Sequence, residues 1–378
     1  MNDGVVTEQR SPVNAGRTHV VLRRWRPARI EIGGIEAGDA AAPAVWQSPV
    51  LETDFDITSL IPSWSALTPG AGWIEVAVRG GRSRPDSDWF VLARWAETSD
   101  SIQRTTVDAQ RTSGARVHND EVGIDADAGW RTAEVRITSH RADPVVSWPD
   151  LQAVNLLASG APSPSPPGAG SGHAHVIDVP PYSQQHHTGD LPELGGGGKN
   201  WCSPTSVAML LSHWETGPSG LPPSGERNPL VPHAAQHTYD TAFGGTGNWA
   251  FNTAYAARFG LDAFVTRLRS LDEAETFTRA GIPLVLSVVF TADQLDGAGF
   301  DTDGHLVVLV GFDAAGNPVV NDPASSRIVS NDEVRRTYRR DQFAEAWLTR
   351  SYAIAYVIRP FDHPLPPPPA EANWSEPH

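Results

Sequence analysis

The sequence predicts an all-β domain of sandwich or jelly-roll type followed by an α+β domain, and three observations carry that reading. Before residue 158 the apolar residues fall in short alternating runs rich in Val, Ile and Trp, divided by turn-forming stretches and without a helical period. After residue 175, helical apolar stripes come first and β-branched runs follow, which is an α+β order. Between the two lies a stretch of Pro, Gly, Ser and Ala with no apolar period, expected to be an extended, semi-flexible spacer. The chain therefore divides into a β domain at 1–157, a linker at 158–175, an α+β domain at 176–361 and a Pro-rich tail at 362–378, the last expected to be disordered.

Strands are expected at 18–25, 28–32, 73–79, 89–95, 131–138 and 153–157. In the third of these Trp73, Glu75, Ala77 and Arg79 oppose Ile74, Val76 and Val78. Eight of the thirteen tryptophans fall in this region, a number that suits a carbohydrate-binding or protein-docking face as well as core packing. Beyond the linker, helices are expected at 203–214, 249–259, 271–280 and 341–348, and strands at 261–268, 283–290, 306–312, 318–321 and 352–358.

Composition narrows function. A net charge of −15 with no basic cluster argues against nucleic-acid binding, because phosphates would be repelled. No apolar run approaches the ~18 residues of a membrane span. The segment Met1 to Glu8 has neither a basic region nor an apolar core, so no signal peptide is expected and the default compartment is cytoplasmic, with export by another route left open.

The single cysteine, Cys202, rules out an intrachain disulfide. It heads an expected amphipathic helix in which Ser203 reads as the N-cap, Pro204 as the first helical residue, and Val207, Leu210, Leu211 and Trp214 as the apolar stripe. A thiol at a helix N-terminus feels the positive end of the macrodipole, which favours the attacking thiolate; a buried small hydrophobe is the other role of a free cysteine. A thiol nucleophile needs a base, a group that orients the base, and oxyanion donors. His305 is the polar residue at the head of an apolar strand, placed to face a cleft. The next strand ends in Asn321-Asp322-Pro323. Alternation sends Asn321 and Asp322 to opposite faces, so either is a candidate to orient the imidazole. Gln184 and Gln185 each offer a side-chain amide to an oxyanion, beside the backbone N–H of Cys202.

Four motifs in this order, Tyr182-Ser183-Gln184, Trp201 to Ser206 (Trp-Cys-Ser-Pro-Thr-Ser), Asp303 to Val308 (Asp-Gly-His-Leu-Val-Val) and Asn321-Asp322-Pro323, resemble the bacteriocin-processing-peptidase-like group, family thirty-nine of the cysteine peptidases, in the papain-like superfamily. The likeness runs from about residue 177 to 360. It implies a papain-like cysteine peptidase domain acting on a peptide or protein substrate, with no cofactor and no metal. It also implies Cys202 as nucleophile, His305 as base, Asp322 as the group orienting it and Gln184 as the oxyanion-hole amide. The segment 245–255 resembles a signature of the stand-alone branch and is expected to line the cleft. The N-terminal region resembles modules paired with such peptidases in some bacterial proteins. Two departures stand out: Ser203 follows the cysteine where Gly is commonest, and no membrane exporter domain is present, so a leader-peptide substrate is not implied.

Other motifs carry less. His233 and His237, four apart with Asp240 following, would share a helix face as in some zinc sites, yet no third ligand stands at matching spacing. Glycines 195–198 before Lys199 look like a phosphate loop, but Asn200 stands where Ser or Thr is needed, and slack in the loop entering the Cys202 helix is the expected role. Asp293, Asp296, Asp301 and Asp303 read as a solvated loop rather than a calcium site. The rival function is a catalytically inactive papain-like protein that binds a glycan or protein ligand through its Trp-rich β domain.

Overall fold

In this computed structural model the described residues are 15–16, 19–27, 43–112, 114–141, 147–164 and 167–378; the strand expected at 28–32 lies outside them. The N-terminal unit consists of strands β1 (Val20–Trp25), β2 (Ala44–Gln47), β3 (Leu51–Ile57), β4 (Ser59–Leu67), β5 (Trp73–Gly81), β6 (Phe90–Trp95), β7 (Thr105–Thr106), β8 (Arg111–Thr112), β9 (Ala115–His118), β10 (Glu121–Ile124), β11 (Trp130–His140) and β12 (Asp150–Ser159). They form two antiparallel sheets, ordered β1-β12-β4-β10-β9-β8 and β2-β11-β5-β6-β7, with β3 also on β11. Alternation makes the register legible: Ile74, Val76 and Val78 are buried, and the residues between them face outward or the second core layer.

The C-terminal unit contains β13 (His175–Val176), α1 (Cys202–His213), α2 (Leu230–Thr238), α3 (Trp249–Ala257), β14 (Leu261–Arg267), α4 (Leu271–Arg279), β15 (Leu284–Phe290), β16 (Thr302–Phe312), β17 (Pro318–Asn321), β18 (Arg335–Thr337), α5 (Arg340–Ala344) and β19 (Ile354–Pro360). Its antiparallel sheet runs β14-β19-β15-β16-β17-β18, with β13 on β16. The helix bearing Cys202 begins one residue earlier than the pattern predicts. Trp201 is its N-cap, and the Ser203 hydroxyl, instead of capping, pairs with the Tyr356 hydroxyl at 3.1 Å. Pro204 consequently sits third in the helix, where its missing N–H is still free of any intrahelical partner.

Strand β14 is the open edge of this sheet, and the N-terminal unit covers it. The Ser63 hydroxyl accepts from the Val265 amide at 3.2 Å, and the Ser65 hydroxyl donates to the Ala263 carbonyl at 3.4 Å. Trp64 and Trp95 close on Phe251 of α3 with ring centres 6.1 and 5.4 Å away. Beside them Asp262, fully buried, is held between Arg24 and Arg359, while Arg24 also donates to Asn155 at 2.8 Å. Farther along, Asp240 accepts from the Thr106 amide at 2.9 Å and from Asn248 at 3.0 Å; its place is an inter-domain hydrogen-bond hub.

Three expectations change. None of the eight N-terminal tryptophans is exposed. Trp73 stacks on His140 at 3.7 Å, Trp89 lies under Arg79 and Arg136, and Trp148 faces Arg141, so a free ring platform for sugars is not supported. The described part of the linker from Pro167 on is fastened: Arg340 donates to the carbonyls of Pro167 and Gly168, and the Gly170 amide donates to Asp272. The tail is not loose, because Trp374 buries its ring edge-on to Phe277 at 4.9 Å and the Ala372 carbonyl accepts from the Leu22 amide at 3.0 Å. One aromatic anchor and a backbone pairing with β1 outweigh the proline content.

Replacing Asp262 leaves the buried guanidinium of Arg24 without an ion-pair partner and that of Arg359 with Glu376 alone. Asp262→Ala is expected to lower unfolding stability by about 3–5 kcal/mol, read from urea midpoints by tryptophan fluorescence. An unchanged midpoint would mean that the two units hold together without this cluster.

Candidate active site at Cys202

Cys202 occupies the first turn of α1, where three features fix it. The loop before it turns through Gly195, Gly196 and Gly197, all at positive φ, and a Cβ on Gly198 would strike the His187 backbone. These glycines make the tight entry that the sequence reading assigned to slack. Ser206, one turn on, donates to the Leu306 carbonyl at 3.2 Å and so ties α1 to β16. The half-buried thiol then meets the imidazole of His305, four residues into β16.

Register decides which residue partners His305. Val308 pairs with Asn321, so Asn321 and Asp322 face opposite ways. Asn321 turns to the Val179 carbonyl at 3.0 Å and to Arg335 at 3.1 Å. Asp322 lies 2.7 Å from His305 Nε2, which leaves Nδ1 as the ring nitrogen for the thiol. The Asp322 carboxylate also accepts from the Ala324 amide and from the Tyr338 hydroxyl, both at 2.9 Å. Sequence reasoning missed Tyr338, sixteen residues from its partner on a segment with no distinguishing pattern.

Gln184 is buried; its amide Nε2 donates to the Lys199 carbonyl at 2.5 Å, leaving a second N–H, and its backbone amide donates to the Pro323 carbonyl at 2.9 Å. Gln185 is half-buried and accepts from Thr188 at 3.3 Å. Gln184, His305 and Cys202 line one cavity of about 640 Å³. A second cavity of about 760 Å³ also reaches Cys202 and is lined by the 244–249 segment together with His118–Glu121 of the N-terminal unit. His233 and His237 stack on α2 at 4.1 Å and take no part in either cavity.

The electrostatics favour a charge-separated pair. Burial works against ionised Cys202, but the hydrogen bond and charge of His305 and the amides of Leu306 and Ser203 outweigh it and hold the thiol below its ordinary value. Burial also opposes the charge on His305, yet Asp322 and Cys202 raise it to about 10. Asp322 is held low by His305, Tyr338 and Ala324 against the same burial. Phe300 stands edge-on to the imidazole at 5.4 Å. At the second cavity, burial pushes the Asp120 carboxyl up to about 7, although the Trp249 amide donates to it at 2.6 Å.

Comparison with known proteins places these residues in context. Residues 176–354 match the family described as Peptidase C39 like, and residues 14–159 match the Peptidase C39 N-terminal domain. Among solved structures the chain is similar to a Bacillus anthracis protein assigned as a C39-like peptidase, at 18% identity and a TM-score of 0.32 over 50% of this chain and 98% of that one. It is also similar to the structure of infectious bursal disease virus Gx strain, at 10% identity and a TM-score of 0.14 over 39% of this chain and 36% of that one. No curated protein matches the chain.

The pair makes a signed prediction about pH. With its folded value raised to about 10, His305 contributes stability that is full below about pH 6.5 and lost as pH rises toward that raised value. Asp322, held low, contributes above about pH 4 and loses that contribution as pH falls. Asp322→Asn should therefore lie furthest below wild type in urea midpoint between about pH 4 and 6.5, with the gap narrowing toward pH 10. A gap that widened in alkali would contradict the ion-pair assignment.

Proposed function

The chain belongs, through its C-terminal domain, to the Peptidase C39 like family, and from that membership and the geometry at Cys202 we propose that it is a cysteine peptidase using Cys202, His305 and Asp322, with Gln184 in the oxyanion hole. The observation that carries this reading is the buried imidazole of His305, bonded to Asp322 at 2.7 Å and lining one cavity with Cys202 and Gln184. A papain-like assignment of the domain fits the same picture, since the nucleophile heads a helix and the base stands on the antiparallel sheet behind it.

In this mechanism the Cys202 thiolate adds to the carbonyl carbon of a peptide bond, and the carbonyl oxygen becomes an oxyanion. The second N–H of Gln184 Nε2 and the Cys202 backbone amide are its donors. The His305 imidazolium gives its proton to the amine nitrogen as the C–N bond breaks, leaving a thioester on Cys202. Neutral His305 then takes a proton from water, whose oxygen attacks the thioester. Collapse expels the thiolate and releases the acid product. Asp322 holds the imidazole and balances its charge without taking the proton.

Turnover of a mixture-based peptide library, read by mass spectrometry, tests the reading. Wild type is expected to cleave and Cys202→Ala is not. His305→Ala should lose at least about 10³-fold in kcat/KM, and Gln184→Ala about 10²-fold to 10³-fold. Equal cleavage by wild type and Cys202→Ala would overturn the proposal.

A further inference from the structure

The N-terminal domain reaches the cleft itself. The β9–β10 hairpin turns at Asn119, in the left-handed region at φ 52°, and presents Asp120 and Glu121 to the cavity that also contains Cys202. It is fastened there on both sides. Asp120 accepts from the Trp249 amide at the head of α3, and Glu121 accepts from Arg267 at the end of β14 and from Ser59, both at 3.0 Å. The hairpin is thus a fixed wall of the cleft.

The two cavities that meet at Cys202 differ in one respect that orients a substrate. His305 and Gln184 line the first, and neither lines the second. Because His305 must protonate the departing amine, the first cavity receives the leaving side of the peptide and the second receives the acyl side. On that acyl side the charges do not balance. Glu121 is neutralised by Arg267, and Arg350 lies 3.5 Å from Glu345. Asp120 and the exposed Asp303, one from each domain, have no cationic partner at ion-pair distance among the described residues. Asp120 lines the second cavity alone, and Asp303 stands where the two cavities meet beside Cys202.

Resting on the peptidase reading above, we propose that the N-terminal domain supplies the acyl-side wall of the cleft, and that Asp120 and Asp303 select peptides with a basic residue on the acyl side of the cut bond. Above about pH 7, where Asp120 is ionised as Asp303 is, a cationic side chain there would gain attraction from both carboxylates, and an acidic one would meet two like charges. Both aspartates are specificity determinants in this proposal and take no part in bond breaking.

Peptidyl chloromethyl ketones that differ only in carrying Lys, Leu or Glu at the acyl-side positions test this on the full-length protein. The rate of Cys202 alkylation is followed by mass spectrometry at about pH 8.5, where Asp120 is ionised, with iodoacetamide run in parallel as a reagent too small to sample the wall. Wild type is expected to react about tenfold faster with the Lys reagent than with the Glu reagent. Asp120→Asn should cut that preference about threefold or more, and Asp303→Asn, at an exposed position that folding does not depend on, should do likewise. Equal rates for the two reagents in wild type, or a preference retained by both variants, would overturn the proposal. Failure of the peptidase reading looks different: iodoacetamide would label Cys202 while no peptidyl reagent of any charge did so faster, and both proposals would then fall.

Discussion

The covering of β14 is the constraint on which the rest of the molecule depends. An open sheet edge presents unpaired amides and carbonyls that invite a further strand. Here the adjoining domain meets that edge with side chains: Ser63 and Ser65 take up the backbone groups of Val265 and Ala263. Asp262 then binds Arg24 from one domain and Arg359 from the other, with all three side chains buried. Such a cluster is tolerated only when every member is paired, so the domains cannot slide without stranding a buried ion. Trp64, Trp95 and Phe251 add an apolar contact that the same sliding would expose.

The site inherits its geometry from this rigidity. Helix α3 packs under β4, its first amide holds Asp120, and the 244–249 segment ahead of it lines the acyl-side cavity. On the other side, Asp322 is saturated by His305, Tyr338 and Ala324. A carboxylate with that many donors stays ionised despite burial, and an ionised neighbour keeps His305 protonated and available to the thiol.

The parts of this arrangement that could be read from sequence are those in which one local period dominates. Strand β17 falls on the expected residues, and α1, α3 and α4 differ from expectation only at their ends. Strand β4 was not legible, because it is buried on both faces and carries Pro62 and three serines, so it shows neither alternation nor a β-branched run. Helix α2 was hidden by Pro232 in its first turn and by two histidines. In the site, Cys202, His305 and the pair Gln184/Gln185 stood out by residue type and motif. The choice between Asn321 and Asp322 had to wait for the β16–β17 register, and Tyr338 for the tertiary fold. The Ser203 cap failed for a physical reason as well: glycine packing and a turn before Trp201 set the helix entry, which frees the serine hydroxyl for Tyr356.

A flexible tether would let the β domain explore many positions and deliver substrate by raising its local concentration. That role does not suit this chain. Its linker is bonded to Asp272 and Arg340, Ser171 is bonded to Glu275, and the tail after Pro360 lies along β1. Each attachment removes freedom that a tether would need. What the fastening provides instead is a fixed composite surface, in which a hairpin of one domain stands beside Cys202 of the other. Under the proposed function, recognition is divided between domains while bond breaking stays within one. The sequence of the N-terminal domain is therefore free to change substrate preference without disturbing the contact among Cys202, His305 and Asp322.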